Sequence, residues 1–218
     1  MNPGMPASDG RQRVLATIRQ SLGRGAGAAG AITPLPGAGP RPAFAGDLVE
    51  RFVAKMQEKA ATVERLSGLA DIGPAVARFV AAVPAGPQLR VARPLASIDW
   101  PAHLRISFGA AVREDETSVT PCFAALAESG GIVTLSGPET PSTLNFVPDT
   151  HIVVVHAEQV VRHLEDVWAR WRASGRPMPR TINIISGPSR TADIEQTIQL
   201  GAHGPRRLHI LLLGTGPR

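Results

Sequence analysis

Ile152-Val153-Val154-Val155, the segment from Glu158 to Arg172, and Ile182-Asn183-Ile184-Ile185 form the stretch on which the fold turns. The two apolar runs have the length and composition of strands covered on both faces. Between them Val160, Val161, Leu164, Val167, Trp168 and Trp171 share one face of a helix, which places both tryptophans in a core rather than on a ligand platform. Runs of the same kind recur on either side, at Leu89–Val91, Leu104–Phe108, Ile132–Leu135 and Leu208–Leu213. Short buried strands alternating with helices predict one layered α/β domain with a mostly parallel sheet flanked by helices.

Working outward, Asp47–Leu66 carries Val49, Phe52, Val53, Met56, Ala60, Val63 and Leu66 on one stripe and reads as a long helix packed on the sheet. A second helix is expected over Pro74–Ala82. Thr120 has the character of an N-cap and Pro121 of a first helical residue, so a short helix is expected from Pro121 to Glu128, stopping at Gly130. At the N-terminal side, Val14, Leu15, Ile18 and Leu22 give an amphipathic helix over Arg11–Leu22, and Gly23–Pro42 reads as a Gly/Ala/Pro-rich linker. The expected organisation is thus an N-terminal helical arm over 1–42 and an α/β domain over 43–218.

Among the 218 residues Cys122 is the only cysteine, which excludes an internal disulfide, a Cys₄ zinc site and a self-contained iron–sulfur cluster. No histidine spacing indicates a metal site. The net charge of +5 reflects arginines scattered among acids, as in Arg113-Glu114-Asp115-Glu116, with Lys55 and Lys59 the only lysines. That pattern, with no stacking aromatic motif, argues against nucleic acid as a partner. No apolar run reaches the roughly 20 residues of a membrane span, and Met1–Gly10 has no signal-peptide core, so the expected location is the cytoplasm. No strand leads through a Gly-x-Gly-x-x-Gly turn into a helix, and Walker and Gly-x-Ser-x-Gly motifs are missing.

Ser186-Gly187-Pro188-Ser189-Arg190-Thr191-Ala192-Asp193 follows the Ile182 strand and is expected to open a helix that buries Ile194 and Ile198. Backbone N–H groups at such a helix start, with Ser189, Arg190 and Thr191 beside them, suit a phosphate or carboxylate; plain capping by Ser189, with Asp193 complementing the dipole, explains the same residues. Gly201-Ala202-His203-Gly204-Pro205 leads into the last strand, and its imidazole is available for proton transfer or for a structural hydrogen bond. Glu128, before Ser129-Gly130-Gly131, reads either as a catalytic carboxylate or as an exposed last-turn residue.

Taken together, Ser186–Glu195, Gly201–Pro205 and Ala127-Glu128-Ser129-Gly130 resemble the lactate utilisation protein C family, or LUD domain, over roughly Ser118–Gly214. The resemblance implies a NagB/RpiA/CoA transferase-like fold and a part in oxidising L-lactate to pyruvate alongside two iron–sulfur partner proteins. It also gathers Glu128 and His203 as catalytic candidates with Ser186, Gly187, Ser189, Arg190, Thr191 and Asp193 as ligand-binding candidates. Ser129-Gly130-Gly131 departs from the Thr-Gly-Thr usual in that family, and Ser142-Thr143-Leu144-Asn145 stands where relatives often carry a basic residue, which leaves the ligand open. The implied roles are a subunit of a lactate-oxidising system, an independent enzyme on a phosphorylated or thioester substrate with Glu128 as nucleophile or base, or a non-catalytic carboxylate sensor.

Overall fold

A computed structural model describes residues 7–23, 39–191, 199–201 and 203–214. Met1–Arg41 and Pro42–Arg218 form separate units. The first contributes α1 (Ala7–Ser21), on which Val14 and Ile18 are exposed, as is Leu22 just beyond it.

The second unit begins with α2 (Leu48–Glu58), β1 (Thr62–Leu66), α3 (Ile72–Ala82), β2 (Gln88–Val91), β3 (Arg105–Phe108) and β4 (Thr117–Pro121). It continues with β5 (Ala124–Leu126), β6 (Gly131–Leu135), α4 (Thr143–Phe146), β7 (Thr150–His156), β8 (Val160–Val161) and α5 (Leu164–Ala173). β9 (Ile182–Ile185), the short pair β10 (Arg190–Thr191) and β11 (Gln199–Leu200), and β12 (Arg207–Leu213) complete it.

Six strands in the order β1-β12-β7-β4-β2-β3 make an all-parallel sheet. Alternation along β7 divides its side chains between two cores: Ile152 and Val154 pack with Ile72, Val76 and Val80 of α3, and Val153 and Val155 face Phe52 and Met56 of α2. A smaller sheet, β8-β5-β6-β9, lies over the α2 face. Within it β5 alternates as well, Ala125 turning to the main core while Ala124 and Leu126 turn to Val167 of α5. The expected α/β architecture, a mostly parallel sheet flanked by helices, is the one found.

Four local readings change. The stripe from Asp47 to Leu66 breaks after Glu58, and its last quarter is the edge strand β1. Thr120-Pro121 closes a strand instead of opening a helix, and β5 follows where that helix was expected. The helix between β7 and β9 starts at Leu164 rather than Glu158, because Val160 and Val161 pair with β5. The Ile132 and Ile182 runs are strands, yet they pair antiparallel in the smaller sheet and lie outside the parallel one. Among the described residues no helix is long and apolar enough to cross a membrane.

Candidate functional site

Ser186 and Gly187 follow β9 and meet the end of α2. Ser186 Oγ donates to the carbonyl of Gly130 at 3.0 Å, and Lys59 Nζ donates to Ser186 Oγ and, at 2.6 Å, to the carbonyl of Ser129. Gly187 has a φ of +97°, and a Cβ there would stand 2.9 Å from the Lys59 carbonyl, so both conformation and space demand glycine. Lys59 lies just ahead of β1 and Pro205 just ahead of β12. This loop cluster therefore sits on the amino-terminal side of the parallel sheet.

Ser189 is tied to the same side: its N–H donates to the Pro205 carbonyl at 2.8 Å, and its carbonyl accepts from Gly201 at 3.1 Å. Its Oγ accepts from the backbone N–H of His203 at 3.3 Å. The helix expected to open at Ser189 does not start there, because Arg190 and Thr191 are extended and pair antiparallel with Leu200 and Gln199. Ser189 consequently caps no helix; its side chain closes the loop that carries His203. Arg190 and His203 are both exposed. Asp193, Ile194 and Ile198 lie outside the described residues.

Glu128 follows β5, its N–H donating to the Arg162 carbonyl at 3.1 Å. Its Oε2 lies 2.9 Å from Nδ1 of His163, with side-chain exposures of 30% for Glu128 and 8% for His163. An ionised carboxylate only accepts, so Nδ1 carries the proton of this bond. Phe44 meets the His163 ring edge-on at 5.5 Å, and the guanidinium groups of Arg51 and Arg162 stand 4.0 and 4.8 Å from the Phe44 centroid. Arg162 also donates to the Phe44 carbonyl at 2.6 Å. The result is a half-buried carboxylate held in one orientation by a buried imidazole, with cations behind it.

The structure thus joins Ser186 to the Ser129-Gly130 turn next to Glu128, and Ser189 to His203. Among the described residues no hydrogen bond or ion pair links Glu128 to His203 or Arg190 directly. The sequence reading missed Lys59 and His163. Their partners lie 70 and 35 residues away, beyond the reach of any periodic signal. No group of three or more His, Cys, Asp or Glu among the described residues is arranged to hold a metal ion.

Fold and loops together define a parallel α/β protein with an accessory sheet and a loop-borne polar cluster. The particular likeness is to the LUD domain, whose family model matches residues 111–213 of this chain. A Lactate utilization protein C of Halalkalibacterium halodurans is 39% identical over 85 residues, 38% of this chain and 37% of the relative. That of Bacillus subtilis is 34% identical over 91 residues, 40% of this chain and 38% of the relative, and an uncharacterized protein of Neisseria meningitidis is 36% identical over 88 residues, again 40% and 38%. The matches thus span under two fifths of the length of these relatives. Among solved structures, a DUF162 family protein from Deinococcus radiodurans superposes with a TM-score of 0.58 at 22% identity, covering 77% of this chain and 96% of that one, which shows the shared fold.

Proposed function

We propose that this chain is the LUD-domain component of a lactate-utilising system and supports oxidation of L-lactate to pyruvate together with iron–sulfur partner proteins. The observation that carries this reading is the match of residues 111–213 to the LUD domain, joined to relatives named for lactate utilisation. Lactate gives up two electrons and two protons in becoming pyruvate; the electrons pass to the partners' clusters. This chain's share is to hold a small carboxylate or phosphate-bearing ligand. Lys59, Ser189, Arg190 and His203 supply donors and positive charge on one side of the sheet, Ser186 holds Lys59 and the Gly130 turn in place, and Glu128 is the group suited to take a proton. The exposed Val14 and Ile18 of the N-terminal helix, with Leu22 just beyond it, supply the surface for a partner.

Deleting the gene and supplying minimal medium with L-lactate as sole carbon source tests the assignment. Growth should fail and return with the intact chain; unimpaired growth of the deletion strain removes the proposal. Replacing Arg190 with Ala should abolish rescue while leaving thermal stability unchanged, since Arg190 is exposed.

A second reading, an independent enzyme using Glu128 as base, is favoured by the Glu128–His163 pair. The imidazole orients the carboxylate through a hydrogen bond of 2.9 Å. Under that reading Glu128→Gln lowers turnover of a purified substrate by about 10²–10⁴-fold with the fold intact, and co-purification with iron–sulfur proteins is not required.

A further inference from the structure

A cavity of about 450 Å³ opens at the other pole, where β2 and β4 end. Pro94 follows β2, Thr120 and Pro121 close β4 with Cys122 and Phe123 just after it, and Gln159 follows β7, so the cavity lies at the carboxyl ends of the parallel strands. The chain leaves β2 toward β3 at one sheet edge and leaves β4 toward β5 and β7 in the opposite direction. That is a topological switch point, where open parallel sheets gather ligands. The loop cluster around Lys59 and Ser189 is on the opposite side of the sheet and is a separate feature.

The lining is divided by chemistry. At the floor stand Thr120, Thr134 and Asn145, uncharged and buried, with Asn145 Nδ2 donating to Thr134 Oγ1 at 2.9 Å. Thr120 Oγ1 lies 2.8 Å from Nε2 of His151, which is fully buried and whose Nδ1 has no partner. Burial pushes that histidine down to about 3, so it is neutral. With the proton on Nε2 it donates to Thr120 and frees the threonine hydroxyl to donate into the cavity; the other tautomer strands an N–H at Nδ1 in a dry interior. Pro121 and Phe123 give apolar walls.

Two arginines complete the lining, and among the described residues no carboxylate does. Arg170 is fixed by donating to the Glu158 carbonyl at 2.9 Å, its guanidinium 5.9 Å from the Phe123 centroid. Arg176 is exposed and also lines an adjoining outer cavity of about 850 Å³, where Arg180 adds a third positive charge. Cys122 borders the same space, but burial pushes its thiol up to about 12, so it offers an apolar wall and not a nucleophile.

We propose that this cavity is a second binding site, taking an organic anion with an uncharged polar or planar body. Arg170 and Arg176 receive its carboxylate or phosphate at the rim, and Thr120, Thr134 and Asn145 hydrogen-bond the body at the floor. The space is far larger than a three-carbon acid fills, and it falls in the range of small-molecule sites. Arginine forks match either anionic group.

Titration calorimetry on the full chain tests this with three probes: AMP, phenylpyruvate and adenosine. One of the two anions should bind with 1:1 stoichiometry and the uncharged nucleoside about tenfold more weakly or not at all. Which anion binds distinguishes a phosphate from a carboxylate ligand. Arg176→Ala, an exposed change that leaves the fold alone, should weaken the same probe about tenfold, and Thr120→Val should weaken it severalfold. The site is refuted if neither anion binds with a dissociation constant below about 1 mM, or if both variants bind as tightly as the parent chain.

Discussion

His209 lies in β12 with its ring stacked on Phe79 at 3.9 Å and its Nδ1 2.7 Å from Thr62 Oγ1. Burial lowers it to about 4, although Glu64, 3.7 Å from Nε2, pulls the other way. With His151, lowered by burial to about 3, it makes two histidines that stay neutral when folded yet would titrate near 6.5 in the unfolded chain. Both folded values are depressed, so the unfolded chain takes up protons that the folded one refuses. Stability is then full above about pH 6.5 and is lost as pH falls, His209 contributing down to about pH 4 and His151 down to about pH 3. For His209 the loss is roughly 3 kcal/mol at the acid end. Urea denaturation at a series of pH values should show this decline, and His209→Gln should flatten it between pH 6.5 and 4 while costing about 1 kcal/mol at pH 7 through the lost Thr62 bond and Phe79 stacking. An unchanged slope in the variant would remove His209 as a source of acid sensitivity.

At the scale of elements, the junction of α2 and β1 explains why the sequence reads one helix where two elements stand. Lys59 caps α2, Ala60 donates to the Gln57 carbonyl, and Ala61 donates to the Met56 carbonyl, which is a Schellman ending. The left-handed position in that motif is usually glycine; here it is Ala60, with φ of 61°. With alanine there, no stop signal exists for a reader of the sequence, and the apolar stripe runs on into β1. Ala60→Gly should therefore stabilise the protein by about 0.5–1 kcal/mol, relief of left-handed strain outweighing the extra freedom of the unfolded chain. Chemical denaturation reads this directly, and a loss of stability would contradict it. Pro121 misleads for a different reason. Val119 and Pro121 point to the β2 side of β4, Cys122 to β7, and β2 has already ended at Val91, so the missing N–H of Pro121 deprives no partner. Ala124-Ala125-Leu126 favours helix by propensity, but each residue has a core to fill on its own side, and that packing overrides it. The longer apolar runs needed no such arbitration, and every one of them is a strand. Which sheet each joins depends on pairings between distant segments, and for the same reason Lys59 and His163 could not be placed beside Ser186 and Glu128 from the sequence.

On the scale of the whole molecule, the second unit has hydrophobic cores of its own. Both faces of the parallel sheet and the outer face of the smaller sheet are filled by clusters whose earliest residue is Phe44. Val14, Ile18 and Leu22 are 48–59% exposed, so these three apolar side chains bury little area to offset the ordering of their own segment. A chain beginning at Pro42 should then fold cooperatively and melt within about 2 °C of the full chain, which is less than a 1 kcal/mol loss would produce at this size. The same truncation should nevertheless fail to restore growth on L-lactate if those three side chains meet a partner. Calorimetry and complementation separate the possibilities: a drop of more than about 5 °C would mean that the first unit supports the core, whereas an unshifted midpoint with full rescue would leave the N-terminal helix without the docking role proposed for it.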